Sequence, residues 1–228
     1  MSWLTDFWNN YGSQILQDLQ PHLLMVGVSL LIGVLVAVPL GILLTRFPRQ
    51  ATPVIAVVSV IQTIPSLVFF ALLLPPLGIG FTPALTVLSL YSLLPILRNT
   101  YVGVRSVDPS LIDAARGQGM TGWEILTMVE LPLSAPVIVT GIRLSAIYLV
   151  SWATLASLIG AGGLGDLIFS GIDSYDTNLL LAGAIPTALL ALIVGYLFGL
   201  LRRAVTPRGL KAEVLTRAPK AEVMARWT

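Results

Sequence analysis

Long uncharged runs alternate with short charged connections along this chain of 228 residues. Leu23 to Thr45, Leu144 to Gly165 and Thr177 to Leu201 contain no charged residue. Gln50 to Leu97 is also uncharged, but Pro75-Pro76-Leu77-Gly78-Ile79-Gly80 divides it. A helix that crosses a bilayer needs about 20 predominantly apolar residues. The pattern therefore predicts five spans, near 22–45, 53–75, 82–104, 134–158 and 178–201. The expected fold class is all-α, a polytopic integral membrane protein with five transmembrane helices.

Composition agrees with that reading. The mean hydropathy is +0.89 and only 11% of the residues are charged. A soluble domain of this size would leave too much apolar surface in water. The amino terminus lacks a basic region and places Asp6 and Asp18 ahead of the first apolar run, unlike a cleavable signal peptide. Trp3, Phe7, Trp8 and Tyr11 predict an amphipathic segment at the membrane interface, a depth that aromatic rings prefer. His22, the one histidine, is expected as an interfacial polar residue at the mouth of the first span. With no cysteine there is neither a disulfide nor a thiolate metal site.

Charge sets the expected orientation. With the amino terminus outside, the inner segments are 46–52, 105–133 and the tail from 202. All 13 basic residues then fall on or toward the inner side, Arg143 about two turns into the fourth span. The outer segments hold Asp6, Asp18, Asp166, Asp173 and Asp176. The asymmetry satisfies the positive-inside rule. The basic tail suits anionic lipid headgroups better than nucleic acid.

Several chemistries are excluded. No G-x4-G-K-[ST] stretch occurs, so the chain has no nucleotide-binding loop of that kind. Gly160-Ala161-Gly162-Gly163-Leu164-Gly165 matches a dinucleotide fingerprint, but an apolar helical run precedes it instead of a strand. A tight turn after the fourth span explains those glycines. No catalytic or metal-binding constellation is present. No acid lies within a span, and inverted repeats are not evident, which argues against an ion-coupled carrier. Pro39, Pro65, Pro95, Pro136 and Pro186 place a proline in or near every span. Kinks in the second and third spans that shape a pathway and ordinary tolerance of proline fit equally well.

Asp113 to Pro132, DAARGQGMTGWEILTMVELP, is a charged segment between apolar runs. Asp108-Pro109 is a helix start, since Asp caps free amides and Pro suits the first helical position. Gly119 is a helix stop. Thr121 with Glu124 forms a capping box that opens a second short helix. Asp113-Ala114-Ala115, then Gly119, then Val129 and Leu131-Pro132 follow the spacing E-A-A-x3-G-x9-I-x-L-P. This resembles the loop of binding-protein-dependent ABC importers, with Asp for Glu and Val for Ile. The resemblance implies a coupling helix that docks into a cytosolic ATPase, carried here by Asp113, Ala114, Ala115, Gly119, Leu131 and Pro132. Small Ala114 and Ala115 would then allow close approach by the partner.

Three more segments narrow the resemblance. They are Gln62-Thr63-Ile64-Pro65-Ser66-Leu67, Tyr91 to Tyr101 (YSLLPILRNTY) and Trp152 to Asp166 (WATLASLIGAGGLGD). With the loop they are similar to permeases of osmoprotectant importers for glycine betaine, carnitine or choline, over most of residues 20–210. The resemblance implies a type I, methionine-importer-like permease fold in a bacterial inner membrane. It divides the chain into an extracytoplasmic interfacial segment (1–21), a permease domain (22–201) with its coupling loop (105–133), and a cytoplasmic basic tail (202–228). The implied partners are two ATPase subunits that carry the ATP and magnesium, a second permease copy or paralogue, and an extracytoplasmic substrate-binding protein. The chain itself would hold no cofactor and catalyse no reaction. Gln62, Thr63, Ser66, Tyr91, Tyr148 and Trp152 are candidate pathway residues, with helix packing as the competing role. Two rival functions are an importer of the same architecture for methionine or an ergothioneine-like betaine, and an ATP-independent channel or carrier.

Overall fold

A computed structural model describes the backbone of residues 2–207 and the side chains from Thr5 onward. The Trp3 ring and the tail beyond residue 207, with its basic residues from Arg208 to Arg226, lie outside the described residues. Everything described is helix or short turn. The chain runs through α1 (Ser2–Arg46), α2 (Pro48–Thr63), α3 (Ser66–Leu77), α4 (Phe81–Arg105), α5 (Pro109–Gly117), α6 (Gly122–Ile125), α7 (Leu131–Leu155), α8 (Gly165–Asp173) and α9 (Thr177–Val205). Among the described residues four helical stretches are long and apolar enough to cross a membrane, and the pair α2–α3, bent by 93° at its break, passes the same test when taken together.

α4 is the centre of the bundle. Its buried side chains include Val87, Leu88, Tyr91, Ile96, Leu97 and Thr100. One core joins Met25 of α1, Phe70 of α3, Leu88 of α4 and Leu149 of α7, and a second joins Ala37 and Leu44 of α1, Ala51 of α2, and Ile96 and Leu97 of α4. Hydrophobic association is weak between helices already in lipid, so close backbone approach through small residues matters. Gly141 of α7 provides it: a Cβ there would meet the Pro95 carbonyl oxygen and the Asn99 Cβ, each at 2.6 Å.

α1 is one helix of 45 residues, about 67 Å long at 1.5 Å per residue. The hydrocarbon core is only about 30 Å thick, so α1 extends well beyond it. The residues expected as a separate interfacial segment are continuous with the first span, and Pro21 lies inside the helix. Phe7, Tyr11, Ile15 and Leu19 pack around Leu164, Leu167 and Ala182 of the α8–α9 corner. The Tyr11 hydroxyl donates to Asp176 at 3.1 Å. Asp176 also caps α9, accepting from the amides of Asn178 and Leu179. His22 differs from its expected interfacial place. It is fully buried, and its Nε2 donates to the Val150 carbonyl at 3.1 Å. The glycine-rich corner closes over it, with Gly160, Gly162 and Gly163 at positive φ, as a turn requires.

The prolines do not act alike. Pro65 separates α2 from α3, whereas Pro95 stays within an unbroken α4. Pro95 therefore does not break the third span. The carbonyl of Pro95 is taken up by the Asn99 side chain at 2.8 Å.

Candidate functional site

The connection from α4 to α7 is built from local signals. Asp108 accepts from the Ser110 amide at 2.8 Å, and Pro109 occupies the first turn of α5. That hydrogen bond from the Ser110 amide holds the Asp108 carboxyl below its ordinary range. At the far end, the Gly119 amide donates to the Arg116 carbonyl and the Met120 amide to the Ala115 carbonyl. This pair of bonds is a Schellman stop, and Gly119 adopts φ +82° as that motif demands. Thr121 and Glu124 form the expected reciprocal capping box at the start of α6.

A π-helical turn, Leu126–Glu130, then joins α6 to α7. Pro132 explains the wider turn. It has no amide hydrogen, and its ring would crowd the carbonyl four residues back in a regular helix. The turn ends on Glu130, which is only 4% exposed. Arg46, the last residue of α1, donates to it from both Nη atoms, one of them at 3.2 Å. This two-pronged ion pair ties the end of the first span to the start of the fourth. Neither residue was singled out from sequence. Glu130 is the last acid before the long uncharged run of the fourth span, a weak signal at best.

The expected loop residues divide between two faces. Asp113, Ala114 and Gly119 are exposed, Leu131 is half-buried and Pro132 exposed. Ala115 is only 5% exposed and faces its own chain. Its small size therefore serves internal packing, in contrast to the expected role at a partner surface. Leu111, Trp123 and Met128 are 47%, 72% and 67% exposed, an apolar display on an otherwise polar connection.

The second candidate region surrounds the broken span. A break within a membrane leaves backbone groups that need partners. The Tyr91 hydroxyl donates to the Ile64 carbonyl at 2.5 Å, and the Gln62 side chain donates to the Tyr91 carbonyl at 3.1 Å. Tyr91 also packs its ring against Trp152, with centroids 4.9 Å apart, and Trp152 against Tyr148 at 5.4 Å. Phe69 completes the row at 5.6 Å from Tyr91 and was missed in the sequence, where nothing distinguishes it from Phe70. Four of the candidate pathway residues, Gln62, Tyr91, Tyr148 and Trp152, are thus linked. Thr63 is exposed and its hydroxyl donates to Val60 of its own helix, while Ser66 opens α3 half-buried. Tyr91→Phe should lower stability by about 1–2 kcal/mol, since it strands a carbonyl at the break. Thermal unfolding of the purified protein checks this, and an unchanged midpoint would remove the hydroxyl from any role in holding the bend.

A family profile described as "Binding-protein-dependent transport system inner membrane component" matches residues 22–209. The chain is 50% identical to the carnitine transport permease protein OpuCB of Listeria monocytogenes, over 92% of this chain and 97% of the relative. It is 46% identical, at the same coverage, to the glycine betaine/carnitine/choline transport system permease protein OpuCB of Bacillus subtilis (strain 168). Among solved structures, an inward-facing form of the MetNI methionine ABC transporter superposes with a TM-score of 0.77 at 23% identity. That match covers 85% of this chain and 96% of the other.

Proposed function

The chain belongs to the binding-protein-dependent transport system inner membrane components, and we propose that it imports quaternary ammonium compatible solutes such as glycine betaine, carnitine or choline. It is a membrane-spanning permease subunit of an ATP-driven importer with the type I permease fold. The observation that carries the substrate reading is 46–50% identity, over nearly the whole chain, to permeases named for these solutes. The pathway chemistry fits it. A bulky, weakly hydrated cation needs no buried carboxylate where aromatic faces are available, at about 0.5–2 kcal/mol per cation–π contact. Tyr91, Trp152 and Tyr148 form such a row.

In this reading the chain pairs with a second permease, identical or related. Two cytosolic subunits bind and hydrolyse ATP with magnesium, and an extracytoplasmic protein delivers the solute. Asp113, Ala114 and Gly119, with the exposed apolar Leu111, Trp123 and Met128, meet the ATPase. Ala115 supports that surface from behind. Movement of the loop passes through the π-helical turn into α7, and through the Arg46–Glu130 pair into α1. The helix ends at Arg46, Arg105 and Arg202 face the cytoplasm.

Uptake of labelled betaine, carnitine and choline by cells expressing the full transport system tests the substrate. ATP-dependent uptake of at least one is expected; uptake of methionine or a thiol-betaine alone would refute the substrate reading. Orientation is tested separately, since the chain has no native cysteine. Ser174→Cys should react with an impermeant maleimide in intact cells and Gln118→Cys only after lysis, and the reverse result would invert the topology.

A further inference from the structure

We propose that the cleft between α7 and α9 is a binding site for an anionic phospholipid. Arg143 lies within the fourth span, and among the described residues it makes no ion pair. An unpaired guanidinium in a spanning helix is costly and calls for an anion or for water. Arg202 and Arg203, in the last turn of α9, join Arg143 around a cavity of about 130 Å³. α9 runs antiparallel to α7, so this cavity opens at the end of the bundle that carries α5.

Local packing holds Arg143 in place. Its guanidinium lies across Gly195 and Gly199 of α9, 3.7–3.9 Å from where their Cβ atoms would be. The absence of side chains there leaves the cleft open, and the guanidinium takes the place of a tighter helix contact. A second, apolar cavity of about 550 Å³ adjoins the first and shares Arg143, Gly195 and Tyr196. Ile147, Ala188, Ala191 and Leu192 line it farther along the helices. A cluster of three cations continuing into an apolar groove matches a phosphate headgroup with an acyl chain. A soluble anion would use only the charged end. Leu192, Tyr196 and Leu197 are 69%, 66% and 55% exposed, so this face of α9 is open to lipid.

The test uses the delipidated permease–ATPase complex in detergent, titrated with phosphatidylglycerol or phosphatidylcholine and read by native mass spectrometry. Retention of phosphatidylglycerol is expected to exceed that of phosphatidylcholine, and Arg143→Gln to weaken it about fivefold. Arg202→Gln with Arg203→Gln, on exposed positions that leave the packing intact, should weaken it by at least as much. Arg105→Gln, at an inner helix end outside the cleft, should bind as the wild type does. Equal retention of the two lipids, or unchanged retention in both cleft variants, would overturn the proposal. So would displacement by millimolar inorganic phosphate, which would make the site one for a soluble anion.

Discussion

Arg46→Met is expected to destabilise the permease by about 3 kcal/mol and to abolish uptake, whereas Glu130→Gln should be much milder. The two partners of the pair differ in exposure: the side chain of Arg46 is 45% exposed and that of Glu130 only 5%. Removing the arginine leaves a carboxylate buried without a counter-charge, and breaking a buried pair in this way costs about 3–5 kcal/mol. The half-exposed arginine places the figure at the low end. Removing the acid's charge leaves a guanidinium that can turn toward water. The double variant Arg46→Met with Glu130→Gln should therefore regain most of the stability lost by Arg46→Met alone. Thermal unfolding of the purified complex measures all three. If Arg46→Met is no less stable than Glu130→Gln, the pair contributes nothing that its burial suggests. Uptake adds a separate readout: a double variant that is stable yet transports poorly would place the pair in the link from loop to span.

The parts of this architecture legible in the sequence are those fixed by neighbours along the chain. Span length needs only a run of apolar residues, and the ends of α4, α7 and α9 fall close to the expected 82–104, 134–158 and 178–201. Asp108-Pro109, Gly119 and Thr121 with Glu124 act within one helical turn, so the caps and the stop appear where the residues place them. What distance in sequence decides was not legible. Pro65 and Pro95 have the same local effect, the loss of one amide donor. Only Pro65 separates two helices, where the hydroxyl of Tyr91, 27 residues beyond Ile64, donates to the free Ile64 carbonyl. Arg46 and Glu130 are 84 residues apart and read separately as an inner-side cation and a loop acid. His22 looks interfacial until the corner at Gly163 closes over it. Ala114 and Ala115 are equivalent in composition, and only the turn of α5 against the π-helical segment assigns one to solvent and the other to the interior.

That last distinction sets the sharpest test of the loop. Ala114→Trp is expected to abolish uptake while leaving the folded permease intact. Ala114, like Asp113, is exposed on α5, so a large ring there has solvent to occupy in the isolated chain. If α5 docks closely on the ATPase, the ring must be accommodated between the two proteins. A loss of ~1.4 kcal/mol already weakens association tenfold, so the ATPase should largely fail to co-purify. Ala115→Asp should behave differently. It buries a charge in a site 5% exposed, so loss of the folded protein precedes any effect on docking. Gly119→Val falls between them. A Cβ at Gly119 meets nothing within 4 Å, but φ +82° is strained for a β-branched residue. That variant should loosen the end of α5 and lower uptake with insertion unchanged. Melting temperature, ATPase co-purification and uptake, measured on the three variants together, separate folding from docking. Normal transport by Ala114→Trp with the ATPase bound would remove α5 from the docking surface and leave the exposed Leu111, Trp123 and Met128 without the partner proposed for them.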